Sequence, residues 1–181
     1  RYQGIPIGGY NLIIENMLKD VEVELGVDFF ANRQELEASA EKVVFTGMID
    51  QYFDYKHGEL EYRSLSFEHE VLDEENYQGN AVVNYTEREI PYTRIIEHKH
   101  FEYGTQDKTV ITREYPADWK RGDEPYYPIN DERNNAMFAK YQEEAAQNDK
   151  VIFCGRLADY KYYDMHVVIE RALNVVEEEF K

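Results

Sequence analysis

Arg94 stands in "PYTRIIEHKH", just after Pro91 and inside a stretch that reads as a strand. A guanidinium on so stiff an element can grip a diphosphate, because its planar fork donates two parallel hydrogen bonds and keeps its charge. Pairing with one of the chain's 37 acidic residues is the competing reading. Arg63, in "EYRSLSF", poses the same choice. In "EPYYPIND", Tyr126 and Tyr127 sit between two prolines that fix the backbone ahead of a helix. Tyrosines held that way can donate to a phosphate or stack on a ring, or they can form a hydrophobic staple at the helix entrance. The richest segment is "GRLADYKYYDMHVVIERAL", Gly155 to Leu173, in which a strand-like run ends in a glycine, an arginine and several tyrosines before a helix begins. Backbone N–H groups at a helix start suit an anionic ligand, Arg156 can add charge, and Asp164 is the expected cap. On spacing alone this is the edge of a cofactor site.

Other candidates are weaker. His98 and His100 alternate onto one face if "EHKHFEY" is a strand, yet two histidines without a third ligand make poor evidence for a metal, and none is expected. Cys154, the single cysteine, lies in an apolar run and reads as core rather than as a nucleophile. The chain has no GxSxG, CxxC, P-loop or GxGxxG. This segment therefore cannot hold a dinucleotide unaided.

The elements that must position these residues follow from periodicity. Tyr10 to Lys19 has helical spacing, and the alternating "VEVEL" after it reads as a strand. "KVVFTG", Lys42 to Gly47, and "KVIFCG", Lys150 to Gly155, are short apolar runs ended by glycine, as in buried parallel strands, and the two are expected to share a sheet. Between them "ELEYRSLSFEHEV", "NAVVNYTE", "PYTRIIEHKHFEY" and "KTVITREY" alternate and are divided by turn residues, the pattern of an antiparallel sheet. Asp131 to Asp149 and "MHVVIERALNVVEEEF" read as helices, the second with Val167, Val168, Ala172, Leu173 and Val176 on one side. The fold class expected is α+β: an antiparallel, ligand-binding sheet with helices, plus incomplete α/β nucleotide-binding elements.

Bulk properties narrow the partners. With 181 residues and 43% hydrophobic content, the chain can form one domain with a sizeable core or pieces of two intertwined ones. Its net charge of −17 repels phosphate backbones and anionic lipid, which argues against nucleic acid and membrane surfaces as partners. One cysteine suits a reducing cytoplasm, and 16 tyrosines exceed what a core needs. The opening "RYQGIPIGGY" has neither an initiator methionine nor a signal-peptide pattern, so the chain is expected to be part of something longer.

An ordered set of motifs, "YQGIPIGGY", "YRSLSFEHE", "YQGNAVVNYTEREIPYTRIIEHKHF", "EPYYPIND" and "FCGRLADYKYYDMHVVIERAL", covers nearly the whole chain and resembles the prokaryotic UDP-galactopyranose mutases. The resemblance implies the C-terminal portion of such a flavoenzyme, lacking the N-terminal glycine-rich FAD motif. In that family reduced FAD attacks the anomeric carbon of UDP-galactose, and the sugar passes between pyranose and furanose forms through a covalent flavin adduct, so no protein side chain is expected to be the nucleophile.

Carried over by motif, Arg94 matches an arginine that holds the substrate diphosphate, and Tyr10, Tyr127 and Tyr162 match tyrosines around diphosphate and sugar. Asn84 matches a polar residue of the substrate cleft, Arg63 and Arg156 match arginines near the flavin, and Asp164 lies close to both cofactor and sugar. A second diphosphate arginine of the family sits on a mobile loop near Arg1. The resemblance further implies a homodimer, a substrate-binding domain from residues 1–38 and 66–130, and FAD-domain pieces from residues 39–65 and 131–181. The isolated chain is expected to be inactive. The alternative from another class is a non-catalytic UDP-sugar or carbohydrate-binding module, for which the tyrosine richness alone would suffice.

Overall fold

The computed structural model describes residues 4–180. Along the chain the elements are α1 (Tyr10–Met17), α2 (Phe29–Ser39), β1 (Val43–Phe45), α3 (Ile49–Tyr52), β2 (Tyr62–Leu72), β3 (Val82–Asn84), β4 (Arg94–Glu97), a 3-10 turn (His98–Phe101), β5 (Thr109–Asp118), β6 (Tyr127–Pro128), α4 (Glu132–Ala145), β7 (Val151–Phe153) and α5 (Met165–Glu179). Helices with an antiparallel sheet make this an α+β chain, as the sequence patterns indicate. It divides into two units: the described residues of Arg1–Val27 with Leu65–Pro116, and those of Asp28–Ser64 with Ala117–Lys181.

In the first unit the sheet order is β3-β4-β5-β2. Antiparallel pairing sets Asn84 opposite Arg94 and Arg94 opposite Glu114, so all three side chains share one face. Ile95 and Ile111 are fully buried on β4 and β5. Glu97, at the end of β4, is also fully buried. Its carboxylate accepts from the amides of Tyr77 and Gln78 at 3.0 and 2.8 Å and from the Thr109 hydroxyl at 2.8 Å. Burial works against the charge, but these donors together with His100 hold its pKa down to about 2. The loop before β3 is thereby fastened to the sheet. Two expectations fail in this unit. "VEVEL" is not a strand, because Val21, Val23 and Leu25 are exposed and, among the described residues, have no partner strand to pair with. "HKHF" winds into the 3-10 turn, so His98 and His100 do not alternate along a strand.

In the second unit β1 and β7 pair in parallel, Val43 with Val151 through Phe45 with Phe153, which is the shared sheet expected of the two apolar runs. The first residues of β2 pair antiparallel with β6, Tyr62 with Pro128 and Arg63 with Tyr127. The core is aromatic. One cluster gathers Ile49, Leu60, Tyr62, Phe138, Tyr141 and Tyr160, and another Phe45, Tyr52 and Val151. α4 starts because the Asp131 side chain accepts from the Asn134 amide at 2.8 Å, and it buries Asn134, Phe138 and Tyr141, positions of one helical face. Asp164 occupies the cap position of α5, but its side chain makes no capping bond; its carbonyl accepts from Val167 and Val168 instead. α5 buries only Val175, while Met165, Ile169, Leu173, Val176 and Phe180 lie exposed. Sequence patterns also missed α2 and α3. α2 has no buried residue and so no apolar stripe to detect, and α3 is a single turn.

Candidate functional site

Two groups of candidate residues assemble, one in each unit. In the first unit Arg94 Nε donates to Asn84 Oδ1 at 3.0 Å, and Nη1 lies 3.7 Å from Glu114 Oε2. The Glu114 side chain is only 10% exposed, whereas that of Arg94 is 40% exposed and reaches solvent. The arginine is thus aimed by an amide on one side and an acid on the other, and the acid contact is long enough for an incoming anion to compete with it. Alternation in "TREY" could have marked Glu114 as a partner, but strand register, which spacing does not give, is what sets it opposite Arg94.

Tyr10 lines a separate groove of about 840 Å³ in the same unit, with Ile5, His98, Lys99, Phe101 and Lys108. Arg94 and Asn84 do not line it. His98 Nε2 is 2.6 Å and His69 Nδ1 2.8 Å from the hydroxyl of Thr112, and burial together with the neighbouring His69 lowers the His98 pKa. His100 instead sits 3.0 Å from Glu97. Among the described residues no group of three or more His, Cys, Asp or Glu is arranged to hold a metal.

In the second unit a cleft of about 510 Å³ is lined by Arg63, Tyr127, Pro128, Ile129, Asn130, Asp131 and Tyr162. Tyr127 and Tyr162 stack with ring centroids 5.5 Å apart and planes inclined at 29°. Arg156 lies against Tyr162, its Cζ 4.9 Å from the ring centroid, and donates from Nη2 to the Tyr126 carbonyl at 2.6 Å. Register places Arg63 opposite Tyr127 on the β2–β6 pair. Asp131, the acid of the cleft, is engaged by the Asn134 amide and side chain at 2.8 and 2.9 Å. Among the described residues no acid lies within ion-pairing distance of Arg63 or Arg156, in a chain that carries 37. Acid pairing, the competing reading for Arg63 and Arg94, does not occur at Arg63, whereas Arg94 has both an acid and an amide. The tyrosine 55% exposed at the mouth of this cleft is Tyr162.

The turn that leads to it has its own supports. Gly155 takes φ +103°, a conformation that L side chains rarely adopt, and a Cβ there would stand 3.6 Å from Thr46. The Asp159 carboxylate accepts from the Gly155 amide, the Tyr163 hydroxyl and Arg171 Nε, each at 3.2 Å. Asp159 escaped the sequence reading because one acid among 37 carries no spacing signal, and Tyr160, one of the tyrosines crowded before the helix, has no role that spacing could assign. Asp164 is exposed at the start of α5 and does not line the cleft. Arg1 lies outside the described residues.

The arrangement in the second unit suits an anionic ligand with a flat ring: two arginines that form no ion pair, one cleft acid engaged by Asn134, and a pair of stacked phenols. A family model described as UDP-galactopyranose mutase matches residues 1–162. A dTDP-fucopyranose mutase from Escherichia coli is 36% identical over 98% of this chain and 48% of its own length. A probable UDP-galactopyranose mutase from Klebsiella pneumoniae is 36% identical over 98% of the chain and 46% of its own, and a UDP-galactopyranose mutase from Mycoplasma pneumoniae is 35% identical over 97% and 48%. The chain spans about half the length of these curated relatives. With the family model covering most of its residues, the chain belongs to the UDP-galactopyranose mutase family.

Proposed function

We propose that this chain is the C-terminal, substrate-binding and flavin-facing portion of a cytoplasmic, homodimeric mutase that interconverts UDP-galactopyranose and UDP-galactofuranose. The observation that carries the reading is the pair of arginines without acid partners, Arg63 and Arg156, beside the Tyr127–Tyr162 stack. In a chain of net charge −17, two guanidiniums without acid partners at one cleft supply the local positive charge that an anionic ligand requires.

Residues present here fit FAD in part. Arg63 and Arg156 offer fixed positive charge, and the glycine at the end of β7 opens the backbone into a turn beside the parallel β1–β7 pair, while the motif that would cradle the cofactor's diphosphate is not in this chain. When bound in its reduced form, FAD supplies the nucleophile for exchange at the anomeric carbon. What the chain's own side chains do is binding and placement. Arg94, aimed by Asn84, holds the substrate diphosphate and stabilises the charge it gains as the sugar leaves. Tyr10, Tyr127 and Tyr162 serve as the tyrosines that bind diphosphate and sugar. Asp164, exposed and free of a capping bond, is the acid available to cofactor and sugar. Reversible isomerisation needs the diphosphate to stay bound while the ring opens, and a charged, hydrogen-bonded arginine is suited to that.

A second substrate has a specific observation behind it. One relative at 36% identity is a dTDP-fucopyranose mutase, so dTDP-fucose belongs beside UDP-galactose in the assay. The deciding experiment uses the complete protein that contains this chain, purified and chemically reduced, with both furanose and pyranose nucleotide sugars followed by chromatography. Isomerisation of either sugar, with bound flavin, is expected; a colourless protein that leaves both unchanged would sink the proposal. Arg94→Ala should weaken binding or rate by about 1.5 to 3 kcal/mol, the loss of a charge-assisted hydrogen-bond set. Titration of UDP into the isolated chain separates the binding-module alternative, which predicts useful affinity there.

A further inference from the structure

Tyr160 has no part in the chemistry just described, yet its backbone is held at φ 47°. That region is costly for a residue with a large side chain and persists only where the surroundings over-determine it. Its ring is 1% exposed and packs edge-on against Tyr62, with centroids 5.3 Å apart, and against Phe138 at 5.6 Å. The phenol oxygen lies 2.5 Å from the Glu61 carbonyl, 3.0 Å from the Ile129 carbonyl and 3.2 Å from the Ile129 amide. A phenol has one proton, so it donates to the nearer carbonyl, that of Glu61, and accepts from the Ile129 amide. Burial raises the pKa of the hydroxyl, which keeps that proton in place.

The position of these partners gives the contact its meaning. Glu61 and Ile129 continue the ladder in which Tyr62 faces Pro128 and Arg63 faces Tyr127, and their backbones also bond to each other at 3.0 Å. Two residues beyond Tyr160 stands Tyr162, stacked on Tyr127. One side chain therefore ties the turn that carries Tyr162 to the strand ends that carry Arg63 and Tyr127. We propose that Tyr160 is the positioning residue of the cleft: its hydroxyl fixes where Tyr162 stands relative to Tyr127 and Arg63, and so sets how well the cleft fits its ligand. The proposal rests on the reading of this cleft as a nucleotide-sugar site. Tyr160 itself lines no part of the cleft.

Tyr141 provides the comparison. It is fully buried in the same core, and its hydroxyl donates to the Gly58 carbonyl at 2.7 Å and accepts from the His57 amide at 3.1 Å, but it fastens no cleft residue. In the complete flavin-loaded protein, Tyr160→Phe and Tyr141→Phe should both lower the thermal midpoint. Only Tyr160→Phe should raise KM for the nucleotide sugar, by about fivefold to tenfold with kcat little changed, as expected for one misplaced hydrogen-bonding group. Only Tyr160→Phe should also lose the near-ultraviolet circular dichroism of the stacked pair, defined as wild type minus Tyr162→Phe. An unchanged KM in Tyr160→Phe, or an equal rise in both variants, overturns the proposal. If the wild type turns over no nucleotide sugar, the functional reading has failed on its own, and the dichroism still decides: loss in Tyr160→Phe alone supports the positioning role, and a retained signal refutes it.

Discussion

The two units are held together by different forces. The first fastens a loop with a buried carboxylate, Glu97, and buries the polar side chains of Thr109, Thr112 and Glu114 beside Ile95 and Ile111. The second packs aromatic rings: Tyr52 lies 5.1 Å from Phe45 and 4.8 Å from Phe153, and Tyr160 packs on Phe138. A buried charge demands several donors at fixed distances, so the first unit is specific but sensitive to protonation. Ring packing fails instead when volume is lost, although the second unit also buries the Asp50 carboxylate, which accepts from the Leu60 and Gln51 amides at 2.9 and 3.0 Å and whose pKa burial raises. The two groups of candidate residues follow the same division. Arg94 is aimed by polar neighbours, whereas Tyr127 and Tyr162 are aimed by stacking and by the aromatic core beneath them.

The largest effect that would sharpen this contrast is Phe138→Ala. It should destabilise the second unit by about 3 to 5 kcal/mol, the cost of removing a buried ring and leaving a cavity. Hydrogen exchange should show faster opening at Tyr141 and Val151, and unchanged protection there would break the comparison. Next comes Glu97→Ala, which strands the Tyr77 and Gln78 amides. A loss of about 1 to 3 kcal/mol per unsatisfied group applies, and it should appear as rapid exchange over residues 73–81 with the second unit unaffected.

Acid should act on the first unit in the same direction. Glu97 has a folded-state pKa below its ordinary value of about 4.5. Its contribution is therefore fully present above pH 4.5 and is lost as the pH falls through about 2. Urea midpoints measured across that window should fall more steeply in wild type than in Glu97→Gln; parallel curves would remove Glu97 as the source. The smallest effect is expected at Lys108→Ala. Its 3.0 Å contact with Asp73 joins side chains 64% and 87% exposed, and stability should not measurably change.

How much of this was legible in the sequence depended on whether a pattern had a partner. The apolar runs at Val43 and Val151 were readable as parallel strands, and they pair. The helix from Asp131 to Asp149 was readable from its composition, and α4 lies within it; the cap expected at Asp164 makes no side-chain bond, whereas Asp131, not singled out, caps α4. "VEVEL" alternates as well as any strand, yet nothing pairs with it, because periodicity describes a face and not what covers it. α5 makes the same point: Leu173 and Val176 read as one apolar side and are 62% and 55% exposed. Among site residues, Arg94 could be placed on a strand from sequence, but its engagement by Asn84 and Glu114 depends on register. The Tyr127–Tyr162 stack joins residues from separate segments, and no local spacing reports such a contact.

Cys154 brings one practical consequence. It is the only thiol in the chain, it is 6% exposed, and burial raises its pKa, so little thiolate is present to react at neutral pH. Its amide bonds to Phe45 across the parallel pair. A thiol-directed dye should therefore modify the folded protein only as fast as β1 and β7 separate. The chain carries its own chemical clock for the opening of that sheet, with one reactive atom and no label to engineer.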